Sequence, residues 1–309
     1  MAIGDLRSED TFDSKSTADM VLADLDLSNR TILVTGCSGG IGFETMRALS
    51  AHGARIIGVA RSLDSAQRAC SSLRSPAAAI ACDQSDLRAV DRAASLISER
   101  YEKVDAIVAN AGITGSPTVQ TRHGIEMQFL VNYLSHFLLI NRILPKLPNQ
   151  SGRVVIVSSS ASKNQAPSEG ILFEDLDGHA KYNASKFYGQ SKLALALFAG
   201  ELARRVANRG ISVNSLHPGA VKGTDLNRNL KFPLSAVLSV AQLFFKTPEQ
   251  GAATQCMLAA SPAVDGISGE YWADCQIAEG SKFLSDKSMA AHLWQVSEEL
   301  LTRNVNVKV

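Results

Sequence analysis

Tyr182/Lys186 and Tyr188/Lys192 both have the form Tyr-x-x-x-Lys, and both fall inside one short stretch of the chain. On a helix, four residues make about one turn, so each pair would place a phenol and an ammonium on one face. A free phenol titrates near ~10, too high to carry protons at neutral pH. A neighbouring cation favours the phenolate and brings the group into the range useful for general acid–base work. Spacing alone does not choose between the pairs. Three other places hold groups suited to chemistry. Ser158, Ser159 and Ser160 follow the apolar run Val154–Val157, and hydroxyls at the C-terminal end of a parallel strand lie where ligands bind. His217 is a rival base, although a histidine at a strand end beside Pro218 usually serves structure. Asn132, within Val131-Asn132-Tyr133-Leu134, reads as a structural asparagine inside a helix.

Upstream, the β-branched run Thr31–Val34 leads into Thr35-Gly36-Cys37-Ser38-Gly39-Gly40-Ile41-Gly42, and a helical pattern follows from Phe43 to Ala51. A strand, a glycine-rich turn and a helix together bind a dinucleotide pyrophosphate on the free amides of the helix start. Gly36 would permit the tight turn, Gly40 the approach of backbone to phosphate, and Gly42 close packing of helix on strand. The spacing is G-x-x-x-G-x-G, not the commoner G-x-G-x-x-G. The second strand, Ala54–Ala60, ends at Arg61, where a carboxylate would otherwise hold the adenosine ribose. A guanidinium suits a phosphate instead, so the expected cofactor is NADP(H). Asp83 and Gln84, after the next strand, are placed to meet an adenine edge.

The elements that must position these groups alternate along the chain. Strands are expected over Ala77–Cys82, Val104–Ala109, Val154–Val157, Ile211–Leu216 and Gly269–Ala273. Helices are expected over Ser65–Leu73, Asp86–Tyr101, Gly124–Leu147, the Tyr/Lys stretch, a segment opening at Thr247, and Lys287–Arg303. That pattern predicts an α/β fold, a single Rossmann-type doubly wound parallel sheet of about seven strands with helices on both faces. Residues 161–181 read as a polar loop. Residues 222–246 read as a mobile cover whose Leu226, Leu230, Phe232, Leu234, Val237, Phe244 and Phe245 suit an apolar substrate. Residues 1–28 form an N-terminal extension to a domain over 29–309, with 1–16 a loosely attached leader and a short helix over Ala18–Leu25.

Composition narrows the class. Hydrophobic residues make up 45% of the 309, enough for a large core, and the net charge of +1 with mixed signs argues against a nucleic-acid partner. The five cysteines are odd in number and scattered, which predicts reduced thiols in a cytoplasmic protein and no metal site. Neither a signal peptide nor a membrane span is expected.

Taken in order, Thr35-Gly36…Gly40-Ile41-Gly42, Asp83, Asn110-Ala111-Gly112, Asn132, a serine after the fifth strand, Tyr-x-x-x-Lys and Pro218-Gly219 resemble the short-chain dehydrogenase/reductase family over roughly residues 29–275. Ser16-Thr17-Ala18, Tyr188–Ala194 and Ser268–Cys275 are most similar to its retinol dehydrogenase and WW-domain oxidoreductase branch. That branch carries a tyrosine about six residues before the active one, which makes Tyr188/Lys192 the implied catalytic pair and Tyr182/Lys186 a decoy. The resemblance implies an NADP(H)-dependent oxidoreductase acting on an alcohol or carbonyl. Tyr188 would be its general acid/base, Ser159 would hydrogen-bond the substrate oxygen, Lys192 would lower the tyrosine pKa, and Asn132 would hold a water linking Lys192 to solvent. The implied cofactor contacts are Gly36, Ser38, Gly39, Gly40 and Ile41 in the first turn and Arg61, Asp83 and Gln84 on the adenosine side. Asn110, Ala111, Gly112, Tyr188, Lys192, Pro218 and Gly219 complete the set. Relatives often dimerise through the helices bearing Asn132 and Tyr188. Two departures stand out: Gly39 replaces a polar residue common in the family, and a hydrophobic N-terminal anchor like that of membrane-bound relatives is not expected. The alternative is a catalytically silent NADP(H)-sensing protein on the same fold. A sugar-nucleotide epimerase fits less well, because such chains differ in glycine spacing and carry a larger C-terminal substrate region.

Overall fold

The computed structural model describes residues 12–115, 117–222 and 245–307. Strands β1 (Thr31–Thr35), β2 (Arg55–Ala60), β3 (Ala77–Ala81) and β4 (Ala106–Ala109) alternate with helices α2 (Gly40–Ala51), α3 (Leu63–Ser71) and α4 (Leu87–Arg100), after a short α1 (Ala18–Leu22). A hairpin, β5 (Thr121–Arg122) and β6 (Ile125–Glu126), precedes α5 (Ser135–Ile143). Then come β7 (Arg153–Val157), α6 (Ala161–Asn164), α7 (Ala184–Arg205), β8 (Ser212–His217), α8 (Pro248–Ala260), β9 (Tyr271–Ala273), β10 (Gln276–Ile277) and α9 (Lys287–Val305).

Among the described residues the main sheet has eight strands in the order β10-β9-β8-β7-β4-β1-β2-β3. Seven run parallel, and the short β10 pairs antiparallel with β9 as an added edge. Period-two alternation divides the core between the faces. Leu33, Ile57, Ile107, Val154 and Val213 pack on the side of α4, α5, α7 and α9. Ile32, Ile56, Val108, Val155 and Leu216 pack on the side of α1, α2 and α8. Chain order reverses between β1 and β4, and a doubly wound sheet opens its ligand crevice at that point. The glycine-rich turn leaves β1 there, and Asn110-Ala111-Gly112 leaves β4 beside it.

Several expectations need correction. The chain is anchored from residue 12 onward: Gln276 donates to the Phe12 carbonyl at 2.8 Å, Ser16 is buried, and α1 packs on α8. The expected helix over Gly124–Leu147 is interrupted. Residues 121–126 form the hairpin, Phe129–Leu134 is a π-helical turn, and α5 begins only at Ser135. Glu126 caps that turn by accepting from the amides of Gln128 and Phe129 at 2.9 and 3.0 Å. The polar loop at 161–181 contains α6 and a 3-10 turn at Phe173–Asp175. Glu201 of α7 is 8% exposed and ion-paired with Arg204 and Arg205. Of the expected cover, residues 223–244 lie outside the described residues, and with them Leu226, Leu230, Phe232, Leu234, Val237 and Phe244.

The C-terminal helix is seated on α7 and reaches α5. Trp294 meets the rings of Phe137 and Phe198 at 4.9 and 5.8 Å, and Arg205 lies 3.9 Å over its face. Ser297 hydrogen-bonds the Tyr133 hydroxyl at 2.7 Å.

Candidate active site

The glycine-rich turn is built as its sequence requires. Gly36 and Gly40 have φ of +69° and +56°, in the left-handed region that favours glycine. A Cβ on Gly42 would collide with the Gly36 carbonyl and the Asn110 amide, so close helix–turn packing needs glycine there. A Cβ on Gly39 or Gly40 would meet nothing, because both point into open space. The start of α2 has no side-chain cap, so its first amides remain available to an anion. Asn110 braces the turn from β4: its Nδ2 donates to the Thr35 carbonyl at 3.0 Å, and its own amide donates to Thr35 Oγ1 at 2.9 Å. The amide of Ala111 donates to the same oxygen at 3.0 Å. Bare glycine backbone, an uncapped helix start and open space above them fit a dinucleotide. Arg61, exposed at the end of β2, makes no ion pair among the described residues.

The two tyrosines part company at the start of α7. Asn183 is the N-cap and accepts from the Lys186 amide at 2.9 Å. Tyr182 therefore lies before the helix and is not stacked one turn from Lys186. Its hydroxyl bonds toward Glu126 and Gln128, and its ring packs on Phe187. Tyr188 and Lys192 lie within the helix, with the Lys192 ammonium 5.9 Å from the Tyr188 ring centre. Lys192 Nζ donates to the Val157 carbonyl at the end of β7, at 3.0 Å. Ser158 is buried, and its hydroxyl donates to the Lys192 carbonyl at 2.7 Å, which fixes it to the helix backbone. Ser159 Oγ accepts from the Ala161 amide at 3.2 Å, and its hydroxyl acts on the Tyr188 phenol. Gly112 closes the group: a Cβ there would lie 3.3 Å from both Lys192 Nζ and Asn132 Oδ1.

One expectation about charge is not met in this geometry. Burial pushes the Tyr188 phenol above its usual value, and the Ser159 hydrogen bond offsets only part of that. Burial also brings Lys192 down to about 8. With the ammonium 5.9 Å from the ring centre, burial sets the direction of the phenol's shift.

Asn132 is fully buried in the π-helical turn. Its Nδ2 donates to the Ile113 carbonyl at 3.0 Å and to Ser191 Oγ at 2.9 Å, while Oδ1 accepts from the Ile113 amide at 2.7 Å. Ser191 in turn donates to the Tyr188 carbonyl at 2.8 Å. Both N–H donors of Asn132 are thus taken, and only a lone pair on Oδ1 could receive the expected water. The side chain's evident work is to tie the Gly112–Ile113 loop to the backbone of Tyr188. π-helical turns recur at functional sites, and this one sets the register of that tie.

His136, one turn past Asn132, escaped the sequence reading. It is fully buried, and its Nδ1 donates to the Asn132 carbonyl at 2.7 Å. Its Nε2 therefore accepts, with Thr35 Oγ1 and Gln84 Nε2 both at 2.9 Å. The i, i+4 spacing from Asn132 was the available signal. The side-chain amide of Gln84 is buried against His136 and Ser135, so that side chain buttresses the site. Asp83 accepts from the amide and hydroxyl of Ser85 at 3.0 and 2.8 Å. His217 is half-buried and held below its usual pKa by burial; its Nδ1 has no partner among the described residues.

Burial holds His136 down to about 4. Between that value and ~6.5 the unfolded chain binds a proton that the folded chain refuses, so stability should fall as pH falls through this window. At pH 5 the loss attributable to His136 is about 2 kcal/mol. Thermal melts at pH 7 and pH 5 should show a smaller drop for His136→Gln than for the parent; an equal drop would remove His136 as the cause.

The comparisons with known proteins agree with this architecture. The short chain dehydrogenase family model matches residues 30–171 and 175–233. The chain belongs to the short-chain dehydrogenase family. This short-chain dehydrogenase is 37% identical over 294 residues to retinol dehydrogenase 14 of Mus musculus, covering 89% of this chain and 86% of that protein. It is 37% identical over 303 residues to the WW domain-containing oxidoreductase of Drosophila melanogaster, covering 95% and 74%. A short chain dehydrogenase from Burkholderia cenocepacia, solved in complex with NADP, superposes with a TM-score of 0.64 at 27% identity, covering 80% of this chain and 96% of that one. Among the described residues no helix of this short-chain dehydrogenase is long and apolar enough to cross a membrane, and no cluster of metal ligands occurs.

Proposed function

We propose that this short-chain dehydrogenase is an NADP(H)-dependent oxidoreductase that interconverts an apolar alcohol with its aldehyde or ketone, with Tyr188 as general acid/base. The observation that carries the reading is that the Ser159 hydroxyl acts on the Tyr188 phenol while the Lys192 ammonium lies 5.9 Å from the tyrosine ring centre. Two hydroxyls converging on one point suit a substrate oxygen. The nicotinamide, when bound, supplies or receives hydride. In reduction Tyr188 passes its proton to the substrate oxygen, and Ser159 donates a second hydrogen bond to it. Lys192 supplies positive charge beside the developing phenolate. Asn132 and Ser191 hold the backbone of Tyr188 in register. Residues 29–309 act as one domain.

The turn after β1 holds the pyrophosphate, and Arg61 meets the phosphate on the adenosine ribose. Arg61→Ala should weaken NADPH binding about tenfold, equivalent to roughly 1.4 kcal/mol, and leave NADH nearly unchanged. Titrations with both nucleotides check this; an unaltered preference would remove NADP(H) selectivity from Arg61. Following NADPH absorbance with a panel of apolar aldehydes and ketones tests the activity. Tight NADPH binding with no turnover on any member, and no NADP⁺ reduction with the matching alcohols, would favour a silent nucleotide-sensing protein.

A further inference from the structure

Two cysteines lie beside the glycine-rich turn and take no part in the chemistry above. Cys37 follows Gly36 in the turn and is fully buried, with its amide bonded to the Val59 carbonyl of β2 at 3.2 Å. Cys70 is near the end of α3, with 8% of its surface exposed. Their sulfurs meet over Gly58 of β2. A Cβ on Gly58 would lie 2.6 Å from Cys70 Sγ and 3.2 Å from Cys37 Sγ, so a side chain there would separate them. Cys70 Sγ donates to the Ala78 carbonyl at 3.7 Å, and the neighbouring thiols bias one another: the Cys70 proton is more easily lost and the Cys37 proton less. Both cysteines are free in this structure.

We propose that Cys37 and Cys70 form a reversible disulfide, an oxidative modification site that ties the glycine-rich turn to α3. The oxidant is a hydroperoxide. Cys70, the more accessible sulfur, loses its proton and attacks the terminal peroxide oxygen as thiolate: an S–O bond forms, the O–O bond breaks, and the other oxygen leaves as hydroxide or alkoxide, which takes up the proton Cys70 released. Cys37 then attacks the sulfenic sulfur: the S–S bond forms, the S–O bond breaks, and hydroxide leaves with the Cys37 proton as water. The thiol pair gives up two electrons and the peroxide accepts them. A bonded pair of sulfurs is about 2.05 Å apart, well inside van der Waals contact. Closure therefore draws Cys37 toward α3 and shifts the turn whose open glycines define the pyrophosphate seat. The link itself is independent of the cofactor assignment, whereas its effect on NADPH rests on that assignment.

The test treats the full chain with hydrogen peroxide, alkylates the remaining thiols in denaturant, and maps peptides without reductant. The expected result is a Cys37–Cys70 peptide lacking two hydrogens, with Cys82, Cys256 and Cys275 alkylated. NADPH binding by the oxidised protein should weaken roughly tenfold, recover with dithiothreitol, and be insensitive to peroxide in Cys70→Ala and Cys70→Ser. Full alkylation of Cys37 and Cys70 after peroxide would overturn the link. A mapped link with unchanged NADPH affinity would overturn its effect on the turn. Failure of the reduced protein to bind NADPH would instead strike the cofactor reading, leaving the peptide map to judge the link.

Discussion

Replacing Tyr188 by phenylalanine is expected to lower turnover by a factor on the order of 10²–10⁴, the range typical of a positioned acid–base group. The substitution keeps the ring beneath Lys192 and removes only the hydroxyl that bonds Ser159. NADPH affinity should therefore stay close to that of the parent, since none of the turn residues is touched. Tyr182→Phe is the paired control. Tyr182 precedes α7 and bonds toward Glu126 and Gln128, away from Lys192, so its loss should leave turnover within a few-fold. The measurement is steady-state turnover of both variants, with NADPH titration of each. Near-normal turnover in Tyr188→Phe together with an inactive Tyr182→Phe would transfer the acid–base role to the other tyrosine.

The second large effect is expected from Gly189→Ala, which adds one methyl beside Tyr188. Gly189 is buried where α7 crosses the segment after α6. An added Cβ would lie 2.8 Å from the Gln165 carbonyl oxygen and closer still to the Ala166 amide nitrogen and the Gln165 carbonyl carbon. These are backbone atoms, so no side chain can swing aside. Ordinarily alanine is the better helix former by about 1 kcal/mol. Here overpacking should exceed that gain and destabilise the fold by about 1–3 kcal/mol. Relief requires α7 to move away from residues 165–166, which carries the Tyr188 hydroxyl away from Ser159. A lowered melting temperature together with turnover reduced at least tenfold is expected. An equally stable and active Gly189→Ala would show that the crossing is loose.

Much of this architecture was legible because it is periodic. Strands such as Val154–Val157 are continuous apolar runs, as buried parallel strands must be, and the glycines of the first turn announce a bend that other residues resist. Turn chemistry was readable too: Thr247 and Gln250 form the capping box that opens α8. What the sequence concealed depends on contacts far apart along the chain. Nothing local to Gln84 says that its amide is buried against His136, since that depends on how β3 and α5 meet. The π-helical turn around Asn132 carries an ordinary helical pattern, and the Glu126 cap that shapes it sits on a hairpin too short to leave a periodic signal. The ambiguity between the tyrosines was resolved by a helix boundary, and boundaries are where local signals are weakest. Gly189 gave no hint, because its reason is a backbone crossing from residues 165–166.

The placement of α9 also constrains how copies of this chain could meet. Trp294 packs against Phe137 of α5 and Phe198 of α7, in the helical stretches through which relatives commonly pair. On this chain α9, nineteen residues long, packs over α7. A second copy approaching along those helices would compete with this tail, and because the tail is tethered its effective concentration does not fall on dilution.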